Sequence, residues 1–480
     1  MRSGKKIHNI IFILAMMAVL VIPSVGMIFH PTTVSYENRE LKELPKVRMT
    51  DGSFNMRYFD DVSDYVSDHI ALRNETAALY SLMNAGMFSV SARQNVILGE
   101  DDWLYYTATT DDYLHKDPAS DRMLFAAAHN MALIQEYCEL LGKKAVFAIA
   151  PNKNTLYGEH MPKAYRDARE RSETKQSDLE RLVPFLVSEG VNFADLKGLF
   201  EAQNETLYYK KDSHWNNKGA LLVYRQLMQQ AGAGAADFDG DSPEISVDFT
   251  GDLNKMLYGM AARPEEKLNY IKDITYFYCV DGGAQRLPDS EMVEKNEVET
   301  VNPEGKGNLL MYRDSYANSL IPYLSRTFSY AYYTKTVPYN MTDLVVRQPD
   351  YVIFEKAERH LPTFAQVPPI MSAPLRVIEG KTEKAEFLLG PVRVSDDGVF
   401  CTVSGRLKDT DIIKNDSRIY ISADPDEGPA YEAFLTETET EGSGFTCYIP
   451  VSALPAPESV FTVILGSEGS YFEESQEEAF

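Results

Sequence analysis

Cysteine is scarce in this chain, with four residues in 480: Cys138, Cys279, Cys401 and Cys447. None stands in a CxxC pair or near a histidine pair, which argues against a structural metal, and no cofactor motif replaces one. Cys401 and Cys447 fall in one strand-rich region and can pair in an oxidising compartment, with buried free thiols as the equal alternative. Positive charge is also short. Forty-seven Lys and Arg stand against 71 Asp and Glu, a net charge of −24. No long basic stripe is left to displace counterions from nucleic acid, so that partner class is excluded. The acidity reads as a solvated surface. The chain lacks a G-x-S-x-G pentapeptide, which removes the α/β-hydrolase nucleophile elbow. It also lacks an internal repeat.

What is present begins with an apolar run. Residues 1–9 carry Arg2, Lys5 and Lys6, and residues 10–29 are uncharged. Twenty residues at 1.5 Å rise reach roughly the 30 Å of a bilayer core. The basic flank places the start in the cytoplasm and the body outside, as a single-pass anchor. A cleaved signal ending near Pro23, Ser24 and Gly26 is the competing reading and exports the body as well. The anchor is preferred because the run continues through Phe29.

Behind it, apolar spacing over 59–82 predicts one or two helices, and Val96–Tyr106 a hairpin. Asp121 is placed to cap a helix reaching Leu141, ended by Gly142. Lys144–Ala150 reads as a buried strand, 174–187 as a helix and 191–193 as a strand. A further helix after His214 carries Ala220, Leu221, Tyr224, Leu227 and Met228 on one face. Strands are expected at 308–312, 328–333 and 351–355, and surface excursions at 231–243 and 282–307. Strands alternating with helices predict an α/β body with a largely parallel sheet over 36–366. Pro368 and Pro369 suggest a linker over 367–380. Short strands without helices predict a small β-sandwich over 381–472, followed by an acidic tail over 473–480.

Chemistry concentrates in two places. Asp212-Ser213-His214-Trp215 sets a carboxylate two residues before an imidazole, and Ser315 follows the apolar run 308–312 in Arg313-Asp314-Ser315-Tyr316. A serine hydroxyl needs a base to take its proton, and the base needs a partner to fix its tautomer. A serine at a strand end sits on the rim where open α/β sheets place their sites, and N–H groups at a following helix start can face an oxyanion. The plainer reading is that Asp212 or Ser213 caps the next helix, His214 lies at the surface, and Ser315 is an N-cap. Trp215, Lys153 and Tyr316 are candidate substrate contacts. Asp252 beside Gly251 reads as a loop organiser, and Glu358 and Arg359 as a core pair. His69, His115, His129, His160 and His360 lack ligand spacing.

The run Lys211-Asp212-Ser213-His214-Trp215-Asn216-Asn217-Lys218-Gly219-Ala220 resembles the signature of the alginate O-acetyltransferase AlgX/AlgJ group and the related DHHW proteins, exported relatives of the SGNH hydrolases. Further blocks follow the same order: 37–39, 68–73, 98–104, 150–157, 251–253, 313–316 and 355–359. Departures are Ser213 at the first histidine of the DHHW name, Tyr316 in place of phenylalanine, and no N-terminal Gly-Asp-Ser-Leu block. The resemblance implies an SGNH-hydrolase-like fold, with Asp212 as orienting acid, His214 as general base and Ser315 as nucleophile. It implies an O-acyltransferase, acetyl by analogy, acting on a bacterial exopolysaccharide or cell-wall glycan. Acyl-coenzyme A is not expected outside the cell, so the implied donor is a membrane-bound O-acyltransferase partner. The C-terminal module is a carbohydrate binder by analogy of architecture. A carbohydrate esterase using the same triad, and a non-catalytic glycan-binding or assembly protein, remain as alternatives.

Overall fold

The computed structural model describes residues 2–36, 40–238, 242–423, 429–438, 442–454 and 461–475. The block at 37–39 and the last residues of the acidic tail lie outside them. The first element is the helix Arg2–Phe29, in which His8–Phe29 is long and apolar enough to cross a membrane and has no buried residue. Its far end is tied to the chain that follows: Ala71 N donates to Pro23 O (3.3 Å) and Thr32 N to His69 O (3.1 Å).

An eight-stranded sheet forms the body. Its spatial order is 193–194, 144–150, 351–357, 308–312, 330–334, 297–301, 277–280, 283–285. The first five strands are parallel, and the last three add antiparallel to that edge. The central strands are apolar on both faces because helices cover both. Lys144–Ala150, Asn308–Tyr312 and Tyr351–Ala357 are buried along nearly their whole length. The helix Asp121–Leu140 lies on one face and Asn217–Ala231 on the other, where Ala220, Leu221, Tyr224, Leu227 and Met228 are all buried.

Local chemistry sets the ends of these elements. Ser120, rather than Asp121, caps the long helix by accepting from Met123 N. The helix expected over 174–187 starts at Asp178, after a separate helix Lys163–Arg171, because Ser177 and Glu180 form a capping box. The stretch 282–307 is not a surface excursion: Gly283–Gln285 and Glu297–Val301 are strands of the main sheet, and Asp289–Met292 is a helical turn. A separate hairpin pairs Glu244–Phe249 with Glu265–Asn269.

The C-terminal region forms a six-stranded and a four-stranded sheet whose inner faces share one core with the long helix of the body. The proline-rich stretch is fastened rather than free. Leu375–Arg376 is a strand paired with Ala430–Glu432, and the Arg376 guanidinium bridges Glu136 (2.5 Å) and Glu432 (2.6 Å). Residues 473–475 belong to the strand Ser470–Ser475, where Glu474 accepts from Phe387 N and Leu388 N. Cys401 and Cys447 are buried free thiols two residues out of register in adjacent strands.

Asn130 is the polar rivet between the layers. Fully buried, it donates to Phe364 O (2.8 Å) and Leu435 O (2.9 Å) and accepts from Leu435 N (3.0 Å). Each buried backbone group left unpaired costs about 1–3 kcal/mol. Asn130→Ala is expected to lower stability by about 2–4 kcal/mol, read from the urea midpoint; an unchanged midpoint would contradict this packing.

Candidate active site

Three strand ends on the carboxyl edge of the parallel sheet converge. Ala150 leads into Lys153, Tyr312 into Ser315, and Ala357 into Glu358. The Asp-x-His segment comes from the loop between residues 208 and 215, closed by an antiparallel bridge of Tyr208 with Trp215. Asn216 caps the following helix, accepting from Lys218 N and Gly219 N. That frees Asp212 and Ser213 from the capping role they would otherwise have. Gly219 lies so close to this loop that a Cβ would stand 2.5 Å from Leu207 O.

His214 Nε2 is 2.9 Å from Ser315 Oγ, and His214 Nδ1 is 2.7 Å from Asp212 Oδ1. Asp212 also accepts from His214 N (2.9 Å) and Asp252 N (2.8 Å). Asp252 accepts from Ser213 N (2.8 Å) and Ser213 Oγ (2.5 Å), so it locks the residue between the acid and the base. Ser315 makes no side-chain cap to the short turn Tyr316–Ser319. A serine, an imidazole and a carboxylate thus stand in hydrogen-bonded series. Asp212, Asp252 and His214 Nδ1 lie within 4.8 Å of one another. Hydrogen bonds already engage all three groups, which favours this chain of proton-bearing contacts over a ligand set.

The electrostatics follow from burial and pairing. Burial opposes the Asp212 charge, but the His214 hydrogen bond, the His214 charge and two backbone N–H groups outweigh it and hold its pKa down to about 2. Burial likewise opposes an imidazolium at His214. The Asp212 hydrogen bond and charge, with smaller help from Asp252 and Asp314, still raise it to about 9. The neighbouring Asp314 is kept well below the carboxylate range, against burial, by His360 and by N–H groups of Tyr316 and Ala357. This occupies the Tyr316 N–H, one of the N–H groups at the start of the turn after Ser315. The Ser315 N–H donates to no protein acceptor among the described residues.

The three residues expected at the substrate are internal. Lys153 is buried and donates to Tyr209 O (3.0 Å), Lys210 O (2.8 Å) and Asp212 O (2.7 Å). Its ammonium stands 5.3 Å from the Trp103 and Tyr105 ring centres, so the hairpin below supplies the floor of the loop. Burial pushes its pKa down to about 7, opposed by Asp212, Asp252 and Glu265. Three carbonyl partners use all three N–H bonds of the charged form. Trp215 donates from Nε1 to Ser319 Oγ (2.6 Å), and Tyr316 from its hydroxyl to Ser213 O (2.9 Å). Both are about 1% exposed, too little to meet a ligand. Glu358 and Arg359 do not pair with each other. Glu358 accepts from Asn152 N and Thr155 Oγ1, while the Arg359 guanidinium lies 5.7 Å from the Tyr316 ring centre. Sequence reasoning missed the Lys153 clasp, whose only signal was the Pro151-x-Lys153 block.

The geometry makes two predictions. A base at His214 must be neutral, so hydrolysis of p-nitrophenyl acetate is expected to rise with pH from about 7 to about 9. The imidazolium–carboxylate stabilisation has the opposite sign: it is complete below the free histidine pKa of about 6.5 and fades as pH rises through about 9. A rate that is flat or falling over that window would contradict the pairing. At Gly251 a Cβ would stand 2.3 Å from Lys211 O and 2.9 Å from Asp212 Cβ. Gly251→Ala is therefore expected to displace Asp212 and cost about 100-fold in rate; full activity in that variant would show that the loop tolerates the shift.

Comparison with known proteins shows what the chain is similar to. Residues 96–274 match the family model described as SGNH hydrolase-like domain, acetyltransferase AlgX. The match includes Asp212, His214 and Asp252; Ser315 lies beyond its end and reaches them through the fold. The chain is 25% identical over 268 residues to the probable alginate O-acetylase AlgJ of Pseudomonas syringae pv. tomato, covering 54% of this chain and 61% of that relative. Among solved structures, a DHHW family protein from Eubacterium siraeum matches 49% of this chain and 85% of its own at 17% identity and a TM-score of 0.39. The O-acetyltransferase domain of Pseudomonas putida AlgJ matches 56% and 93% at 18% identity and a TM-score of 0.36. Pseudomonas aeruginosa AlgX matches 74% and 86% at 12% identity and a TM-score of 0.33. The likeness is carried by the family match: residues 96–274 are similar to an SGNH hydrolase-like domain of the AlgX type, within a mixed α/β protein that adds an apolar N-terminal helix and a β-rich C-terminal region.

Proposed function

We propose that this protein is an extracytoplasmic, membrane-tethered O-acetyltransferase that acts on a polysaccharide through Ser315, His214 and Asp212. The observation that carries the reading is the 2.9 Å contact of His214 Nε2 with Ser315 Oγ, in line with the 2.7 Å contact of Nδ1 with Asp212. The AlgX-type domain and the likeness to an alginate O-acetylase support the acetyl group and the sugar acceptor. The apolar helix supports the tether.

In this mechanism the neutral His214 takes the Ser315 hydroxyl proton at Nε2 as Oγ attacks the carbonyl carbon of a donor acetyl ester. Asp212 keeps Nδ1 protonated and stabilises the imidazolium. The C–O bond to the donor breaks, its oxygen takes the proton from His214, and Ser315 is left acetylated. A sugar hydroxyl then gives its proton to His214 and attacks the acetyl carbonyl. Ser315 leaves with that proton, and the sugar carries the ester. The Ser315 N–H stands free to donate to the oxyanion in both steps. The donor is a membrane-bound O-acyltransferase partner, and the C-terminal sheets hold the polymer.

Ser315→Ala is expected to abolish acetyl transfer from an activated ester to an oligosaccharide while leaving the unfolding midpoint unchanged. Asp212→Asn is expected to lose about 10³–10⁴-fold, since an amide selects the wrong imidazole tautomer. Product followed by mass spectrometry separates the outcomes. Acetate released with no acetylated sugar identifies an esterase, and full activity in Ser315→Ala sinks the triad.

A further inference from the structure

We propose that the helix Arg73–Met83 and the turn that extends it to Phe88 form a second membrane contact, lying in the lipid–water interface beside the N-terminal helix. This inference rests on the membrane-spanning reading of that first helix. Three observations point to a lipid surface as the occupant. The first is composition: residues 76–92 hold no charged side chain, in a chain that is 25% charged. The second is exposure. Leu79, Tyr80, Leu82, Met83, Met87 and Phe88 are each between 47% and 69% exposed, while Ala78 and Ser81 face inward. Scattered apolar residues at a surface are ordinary; a contiguous uncharged set on one element is not.

The third observation is position. Ala71, two residues before this helix, donates from its N–H to Pro23 O, and a Cβ on Gly26 would stand 2.9 Å from Ala71 Cβ. Thr32 Oγ1 donates to Ile70 O and Asn74 Nδ2 to Val34 O, which straps the two segments together. Pro23 precedes the end of the apolar helix by six residues, about 9 Å at 1.5 Å per residue. A helix that starts beside Pro23 therefore lies at the depth where amphipathic helices bury an apolar face, about 5–10 Å into the headgroup and acyl boundary. The consequence reaches the candidate active site. The helix Asp252–Tyr258, whose first residue binds Asp212, packs against Arg73–Met83. One short helix thus separates the triad from the proposed membrane surface, which suits a donor held in the bilayer.

Tryptophan quenching by brominated lipid tests this in the full chain, because the two native tryptophans, Trp103 and Trp215, are only 2% and 1% exposed. Three variants are reconstituted in phosphatidylcholine–phosphatidylglycerol vesicles with and without brominated acyl chains. Phe88→Trp reports on the patch, Val19→Trp on the apolar helix, and Val187→Trp on an exposed site of the body. The expected result is blue-shifted emission and loss of fluorescence in brominated vesicles for Phe88→Trp and Val19→Trp, with none for Val187→Trp. Quenching of Val19→Trp alone overturns the second contact and leaves the membrane span standing. A blue shift at Phe88→Trp without quenching assigns the patch to a protein partner or a second copy and also overturns it. An unquenched Val19→Trp removes the span and the proposal together.

Discussion

A single buried carboxylate sets the geometry of the candidate site. Asp212 is held ionised in a place that excludes most water, which is costly unless donors surround it. The surrounding loops meet that demand. His214 supplies a ring N–H and a backbone N–H, and Asp252 a third. Gly251 lets the Asp252 backbone approach within contact of Lys211 and Asp212. Lys153 draws in the carbonyls of the same loop from below. With its acid fixed, the imidazole has one orientation left, and its free nitrogen faces Ser315. The elevated His214 pKa is the price of this arrangement, since a base paired so closely with a carboxylate tends to hold its proton.

The order of elements connects that loop to the two ends of the molecule. Toward the N-terminus, Asp252–Tyr258 links the loop to the helix Arg73–Met83, whose start abuts the membrane-length segment. Toward the C-terminus, the long helix Asp121–Leu140 carries the body sheet on one side and the two C-terminal sheets on the other. Asn130, Arg122 and His129 are buried at that junction. The C-terminal sheets are therefore built into the main core, and a polymer bound on them would be held at a fixed distance from Ser315.

Much of this was legible in the sequence, for physical reasons that can be named. Strands such as Lys144–Ala150 and Asn308–Tyr312 are apolar throughout because both faces are covered, and the helix after His214 shows its buried stripe at a helical period. The candidate triad was legible through short ordered blocks, since Asp-x-His spacing alone also fits a helix cap; Asn216 proved to be the cap. Other features depended on tertiary context. Lys153 reads as a solvated strand-end lysine, and nothing local reveals that a loop sixty residues on will close over it. Glu297–Val301 alternates correctly for a strand, but its charges and the glycines around it read as surface. Pro368 and Pro369 mark a break in regular structure, which is not the same as a free linker when Arg376 finds two glutamates.

The central claim is that Ser315 is a nucleophile activated through His214. Rapid mixing of the full chain with an activated acetyl ester, acid quench and peptide mass spectrometry test it most directly. The account predicts one acetyl group on the peptide bearing Ser315, formed faster as pH rises toward about 9 and absent in His214→Ala. Acetylation elsewhere, or at Ser315 at the same rate without His214, would contradict it.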